Sequence, residues 1–386
     1  MPINEKERKI TMKQLFNPIT ATVWKGGHGA SGSICPAKQA VHCVPIIPYR
    51  LQCILGILIS LIFLFTTAPL FAGNIPAPKN VRVIKHHPGF FMRIGGNITW
   101  PLNLIADNPD FIGILKVYTW KDIETSEGVY DFSEIISDLA EVQAKGKRLW
   151  IQVSYVEYGP WNPDTPTYMW NDLKYGGNLP YCGNYKRTVA RGGWLPIIWN
   201  SEVQARFKAL FTALGNRFNN EPYIEGVTID ETSTGKPTGA AAEGYSPAAE
   251  LAGFKIRALA AKAAFPDKSV IQQINYATFD REEFGAWCVS HGIGIGCPDF
   301  IINDVNDSCY RIVYPMIKKY RNVTLNGLDV QWFDYERGNT AAELLDAIDL
   351  VDPWYFFWVK REPYFTNDVI PAIREFHKNG GNLGHR

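Results

Sequence analysis

Beyond residue 88 the chain alternates between two hydrophobic rhythms. Short apolar and β-branched runs recur, and between them lie longer stretches whose apolar residues return every three or four positions. The short runs predict strands at Phe90–Ile94, Phe111–Tyr118, Arg148–Tyr155, Tyr223–Asp230, Ser269–Asn275, Gly294–Ile302, within Val323–Trp332, and at Trp354–Val359. The longer period predicts helices at Phe132–Lys145, Ser201–Phe218, Pro247–Ala264, near Arg281–Ser290, at Cys309–Tyr320, at Thr340–Leu350 and near Asp368–His377. Val203, Phe207, Leu210, Phe211 and Leu214 share one helix face, and Ser201 is the expected cap. Pro247 stands where a first-turn proline is tolerated. A long aromatic loop, residues 157–200, interrupts the series after the third strand. Eight strand–helix units in roughly 310 residues match one (β/α)8 barrel with one or two enlarged loops. A doubly wound open sheet would carry a Gly-rich phosphate loop after its first strand. Arg93-Ile94-Gly95-Gly96-Asn97 lacks that spacing. The expected class is therefore α/β, a TIM barrel forming a single domain over residues 74–386.

Residues 51–73 break the pattern: they carry no charge and are mostly apolar. Arg50 and several lysines precede them, and Pro69-Leu70-Phe71-Ala72-Gly73 closes them. This is the layout of a signal peptide, with a basic region, an apolar core and small residues at the cut. The run is also about long enough to be an uncleaved anchor. Both readings export residues 74–386, so the expected location is secreted or periplasmic. Residues 1–73 are set apart as an N-terminal extension plus signal or anchor. Any membrane contact is expected through that segment alone.

A formal charge of +1 gives no reason to expect nucleic acid as a partner. Four cysteines lie beyond the leader, Cys182, Cys288, Cys297 and Cys309, enough for two disulfides in an oxidising compartment. Their spacing fits no zinc template, and nothing in the chain calls for a cofactor. The 12 Trp, 18 Tyr and 21 Phe are an unusual load. Many fall in the 157–200 loop, where they either stack on flat amphipathic ligands such as sugar rings or pack the loop onto the rim.

Barrel chemistry gathers at the C-terminal ends of the strands. There the chain offers Lys116, Tyr118 and Trp120 (second strand), Gln152, Ser154 and Tyr155 (third), and Asp230 and Glu231 (fourth). The later strands add Asn275, then Asp299, then Asp329 and Gln331, and finally Trp358. Such a ring is rich in carboxylates and aromatics and poor in histidine. That inventory suits glycoside hydrolysis, in which one carboxylic acid protonates the leaving oxygen and a second carboxylate acts as nucleophile or base. Trp358 is expected to floor the sugar subsite, and the expected ligand is a carbohydrate.

Lys116-Val117-Tyr118-Thr119-Trp120, followed by Glu124-Thr125-Ser126-Glu127-Gly128-Val129-Tyr130-Asp131-Phe132, resembles the clan A glycoside hydrolases, in their β-galactosidase-like and cellulase-like branches. Phe356-Phe357-Trp358 is similar to that clan's strand-eight tryptophan. The resemblance implies an acid/base glutamate at the end of the fourth strand, where Glu231 stands. It implies Asn just before that glutamate, where this chain has Asp230. It implies a nucleophilic Glu at the end of the seventh strand, where this chain has Gln331, with Asp329 on the same face. Glu231 and Asp329 are thus the expected catalytic pair, with Asp334, Glu336 and Asp299 as further candidates for the second carboxylate. Trp120, Tyr155, Asp230, Asn275, Asp299, Gln331 and Trp358 are the expected substrate contacts. The alternative is a non-catalytic glycan-binding barrel that kept the site and lost its strand-seven nucleophile.

Overall fold

The computed structural model describes residues 84–158, 162–170, 172–176, 184–186, 194–237, 244–336 and 338–384. The expected leader, residues 51–73, lies outside them, as do the loop aromatics Trp161 and Tyr181 and the thiol of Cys182. Among the described residues no helix is long and apolar enough to cross a membrane.

Eight parallel strands close on themselves: β1 (Gly89–Gly95), β2 (Phe111–Thr119), β3 (Arg148–Ser154), β4 (Ile224–Ile229), β5 (Ser269–Gln273), β6 (Gly294–Cys297), β7 (Asn326–Val330) and β8 (Tyr355–Val359). Each pairs with its sequence neighbours, and β1 pairs with β8 to seal the barrel. This is the (β/α)8 architecture that the alternating pattern predicts. Observed strands are mostly shorter than expected. β6 ends at Cys297, because Pro298 has no N–H to continue the ladder.

The closed sheet has two apolar layers. Inside it, Phe91, Leu115, Trp150, Ile271, Tyr355 and Phe357 form one cluster. The Trp150 ring fills the lumen because Gly226 faces it. A Cβ on Gly226 would lie 2.4 Å from that ring, so a side chain there would expel the indole. Outside, the alternate residues pack against the helices in a second, larger cluster. The extra residue of a register shift in β4, Glu225, takes hydrogen bonds at the barrel's N-terminal end from the Tyr355 Oη (2.8 Å) and the His87 backbone N–H (2.7 Å). Polar groups at that end of a barrel serve stability.

The helices follow the expected boundaries closely. Ser201–Phe218, Pro247–Ala264 and Arg281–Ser290 are observed as predicted. The cap of the first is Asn200, one residue before the expected Ser201; its side chain accepts from the Glu202 and Val203 N–H groups. Asn caps as well as Ser, because its oxygen reaches the same orphan amides. The expected helix Cys309–Tyr320 opens with a π-turn through Val313.

Candidate functional site

Above the apolar plug the lumen turns polar, with Arg93, Gln152, Asp230, Gln273 and Asp329 at inward positions of five strands. β4 stops at Ile229, and Asp230 is the next inward residue. Its Oδ1 accepts from Gln152 Nε2 (3.1 Å) and from the Glu231 N–H (3.0 Å). The carboxyl is enclosed, and burial pushes its pKa up to about 7. Two side chains from behind the sheet hold the peptide that follows. The Asp230 carbonyl accepts from Arg257 Nη2 (3.1 Å) and from Gln272 Nε2 (3.0 Å). Tyr155 Oη donates to the Glu231 carbonyl at 3.2 Å. The Asp230-Glu231 turn is therefore fixed by its backbone, and the Glu231 side chain is left partly exposed.

Glu231 does not stand alone. Its Oε2 accepts from Asn275 Nδ2, and the same nitrogen donates to Asp299 Oδ2 at 3.1 Å. Asp299 Oδ1 in turn accepts from Gln331 Nε2 (3.3 Å), which also donates to the Pro298 carbonyl (2.9 Å). Asn275 is anchored by its own N–H, which donates to Thr232 Oγ1 at 2.9 Å. Two oxygens bonded to one nitrogen at about 3 Å each lie no more than about 6 Å apart. The amides of Asn275 and Gln331 thus join Glu231 and Asp299 into one carboxylate pair across the mouth.

Asp329 occupies a different level. It faces the lumen as expected, but it is 1% exposed and accepts from Gln273 Nε2 at 2.9 Å. Arg93 Nε lies 3.3 Å from its other oxygen. Burial pushes this carboxyl up to about 7 against the pull of Arg93. The residue brought to Glu231 is Asp299, and Asp329 sits sealed one step down the strand from Gln331.

Three expected substrate contacts are placed elsewhere. Trp358 is fully buried and points out of the barrel, against Phe356 (ring centroids 4.9 Å apart) and beneath Tyr335 (6.4 Å). Alternation along β8 gives the lumen Tyr355 and Phe357, so the residue between Phe357 and Val359 must face the helices. Trp120 is also enclosed, packed on Phe207 at 4.5 Å, with its Nε1 donating to Glu124 Oε2 at 2.7 Å. Tyr155 lies behind β4 against Phe207 and Arg257; it supports the Glu231 turn from outside. Lys116 likewise faces outward and pairs with Glu134 at 2.8 Å.

The motif behind the resemblance has a structural task. Glu124 is fully buried and accepts from the Trp120 indole, the Gly128 N–H (2.8 Å), the Tyr168 hydroxyl (3.1 Å) and the Arg206 guanidinium. It binds the turn after β2, the 157–200 loop and the helix Ser201–Phe218 into one rim. Two described loop aromatics, Tyr168 and Tyr175, serve that packing. Cys288, Cys297 and Cys309 are free thiols.

Sequence reasoning passed over Arg93 and Arg257, and named Gln273 at the end of the fifth strand without a role. Arg93 and Gln273 stand two residues beyond the inward Phe91 and Ile271, so counting by twos from the core would have found both. It also missed the exposed rim aromatics. Trp100, 57% exposed just after β1, lies beneath Lys360 Nζ at 4.1 Å from its ring centre. Tyr364 stacks flat on Tyr335 at 5.2 Å.

No protein-family model matches the sequence, and no curated protein matches it significantly. Solved structures do match in three dimensions. The catalytic domain of the β-amylase from Paenibacillus polymyxa is similar with a TM-score of 0.52 at 9% identity, covering 76% of this chain and 98% of that one. The β-galactosidase of Marinomonas ef1 gives 0.51 at 10% identity, covering 76% of this chain and 61% of that one. The β-galactosidase from Bacillus circulans sp. alkalophilus gives 0.50 at 11% identity, covering 75% and 55%. At such identities the likeness shows the fold: the chain carries, in divergent form, the barrel on which these glycoside hydrolases are built.

Proposed function

We propose that the protein is a glycoside hydrolase that works through Glu231 and Asp299, with a carbohydrate as substrate. The observation that carries this is the Asn275 amide nitrogen, hydrogen-bonded to both carboxylates at the mouth of the barrel. A separation of at most about 6 Å falls on the retaining side of the two known geometries, which need about 5–5.5 Å or 6.5–9.5 Å. In that mechanism Glu231 gives its proton to the glycosidic oxygen as the bond to the anomeric carbon breaks. Asp299 attacks that carbon and forms a glycosyl ester. Glu231, now ionised, takes a proton from water, which displaces Asp299 and releases the sugar. No metal or cofactor is required by these steps. The leader reading adds that the enzyme is exported, supported by the uncharged apolar run at residues 51–73.

Asp230 fits the same reading. The clan's Asn at that place donates to a sugar hydroxyl, which an ionised Asp cannot do. With its pKa pushed to about 7 by burial, Asp230 carries a proton below neutrality and presents an O–H instead. The rival reading, a glycan-binding barrel without turnover, rests on Gln331 standing where a nucleophilic Glu is expected. Gln331, however, holds Asp299 by a 3.3 Å hydrogen bond, a supporting task that a carboxylate could not perform. A broad panel of aryl glycosides and polysaccharides tests the two. Turnover that falls with Glu231→Gln and with Asp299→Asn supports hydrolysis; saturable glycan binding with no turnover supports the rival.

A further inference from the structure

Two thiols converge on the far side of Asp299. Cys297 is the last residue of β6, and Cys309 opens the helix that follows the loop. Cys297 Sγ, Cys309 Sγ and a carboxylate oxygen of Asp299 all lie within 4.8 Å of one another, and all three residues are buried. The thiols are free. The approach is fixed from both ends of the loop. The Cys309 N–H donates to Asp307 Oδ1 at 2.7 Å, and Tyr314 Oη donates to the Asp299 carbonyl at 2.9 Å. Asp307 Oδ2 accepts from Tyr276 Oη at 2.8 Å, and Tyr276, 37% exposed, adjoins the Cys309 thiol.

We propose that Cys297, Cys309 and Asp299 form a binding site for one thiophilic divalent cation of the Zn2+ and Cd2+ class. Tetrahedral zinc with sulfur at about 2.3 Å and oxygen at about 2.0–2.2 Å sets its ligand atoms roughly 3.5–3.8 Å apart. The three atoms here, all within 4.8 Å of one another, stand about 1 Å or less outside that spacing. Two thiolates and one carboxylate make a soft, anionic donor set that selects zinc or cadmium over magnesium or calcium. Binding converts both thiols to thiolates, so two protons leave for solvent as the cation enters, and the fourth position is left to water. The Cys-x-Asp step and the distant Cys309 match no zinc signature in sequence; the site exists only because the helix after β6 folds back onto the strand end.

The site stands independently of the proposed function, but it bears on it. Asp299 cannot ligate a cation and keep its full charge beside Glu231, so occupancy at this site suppresses glycoside hydrolysis if Asp299 is the second carboxylate. The test is a titration of the full, reduced chain with Cd2+, followed by the ultraviolet thiolate-to-cadmium charge-transfer band and by proton release. The expected result is one equivalent bound, about two protons released and a saturable band. Cys297→Ser and Cys309→Ser each weaken binding tenfold or more, while Cys288→Ser leaves it unchanged. Asp299→Asn weakens binding while retaining the band. No band in the reduced protein, or an undiminished band in the Cys297→Ser/Cys309→Ser double variant, overturns the proposal. So does a disulfide joining Cys297 to Cys309 in protein purified without reductant. Because none of these readouts needs a sugar substrate, their failure is separate from failure of the hydrolase reading.

Discussion

The Glu124 clamp should behave as a stability element and leave chemistry alone. Glu124 has no exposure, and its partner Arg206 keeps only 13% of its side chain exposed. Four donors converge on the carboxylate: an indole, a backbone N–H, a phenol and the guanidinium. Glu124→Ala removes the acceptor from all four and strands a largely enclosed cation. Breaking a buried pair in this way costs about 3–5 kcal/mol, far more than the 0.2–1 kcal/mol typical of exposed pairs. Arg206 also bonds the Tyr168 and Tyr130 hydroxyls, which recover part of the loss, so about 3 kcal/mol is the working figure. For a barrel of roughly 300 residues that is a fall in melting temperature of about 5 °C. The assay is urea unfolding of the wild type, Glu124→Ala, Arg206→Ala and the double variant. The double-mutant cycle should return a coupling of about 2 kcal/mol or more. Additive single losses, or a loss under about 1 kcal/mol for Glu124→Ala, refute the clamp. Turnover at a temperature where the variant is folded should stay within a few-fold of wild type.

Three further outcomes follow from the same geometry. Burial raises the Asp230 pKa from 3.8 to about 7 in the folded protein, so between those values the native protein holds more protons than the unfolded chain and stability falls as pH rises. Asp230→Asn removes that loss: stability should match wild type near pH 3 and exceed it by about 4 kcal/mol at pH 8.5; equal curves at both pH values would falsify the raised pKa. Gln331→Glu should lower turnover, because a second carboxylate replaces the donor held 3.3 Å from Asp299; a gain in activity would mean that the strand-seven position is the nucleophile's place. Arg257, fully buried with its pKa pushed down to about 9 by desolvation, bears a charge with three aromatic rings and, among the described residues, no carboxylate on it. Arg257→Met should therefore leave stability unchanged or raise it by about 1–3 kcal/mol, while Arg257→Ala loses roughly 2–4 kcal/mol to the cavity; thermal melts separate the two.

The barrel was legible because strands and helices differ in period, and eight alternations admit one closed arrangement. The position of Glu231 was legible too: the fourth β-prone run stops at Asp230-Glu231, and the strand observed there ends at Ile229. What failed was the choice of face. β8 reads Tyr-Phe-Phe-Trp-Val, apolar at every position, because a barrel strand is buried on both sides. With no polar residue to mark the outside, Trp358 looked like a lumen residue when it faces the helices. β3 does mark its face, since Gln152 and Ser154 alternate with Val153; Tyr155, one residue on, therefore falls on the outer side. What separates Asp329 from Asp299 is depth. Both face the lumen, but only the irregular chain after Cys297, released from the sheet at Pro298, lifts its acid to the level of Asn275 and Glu231. No periodicity carries that information. Glu124 shows the converse case: a close motif match marked a rim clamp and gave the right fold for a structural reason.

The central claim is that Glu231 and Asp299 act as one pair on a glycosidic bond. The most direct measurement is the anomeric configuration of the first product, followed by NMR during hydrolysis of whichever glycoside the wild type cleaves, with Glu231→Gln and Asp299→Asn in parallel. The account predicts retention, with turnover reduced by about 10²–10⁴ in each variant. Inversion, or an Asp299→Asn variant that turns over as fast as wild type, would contradict it.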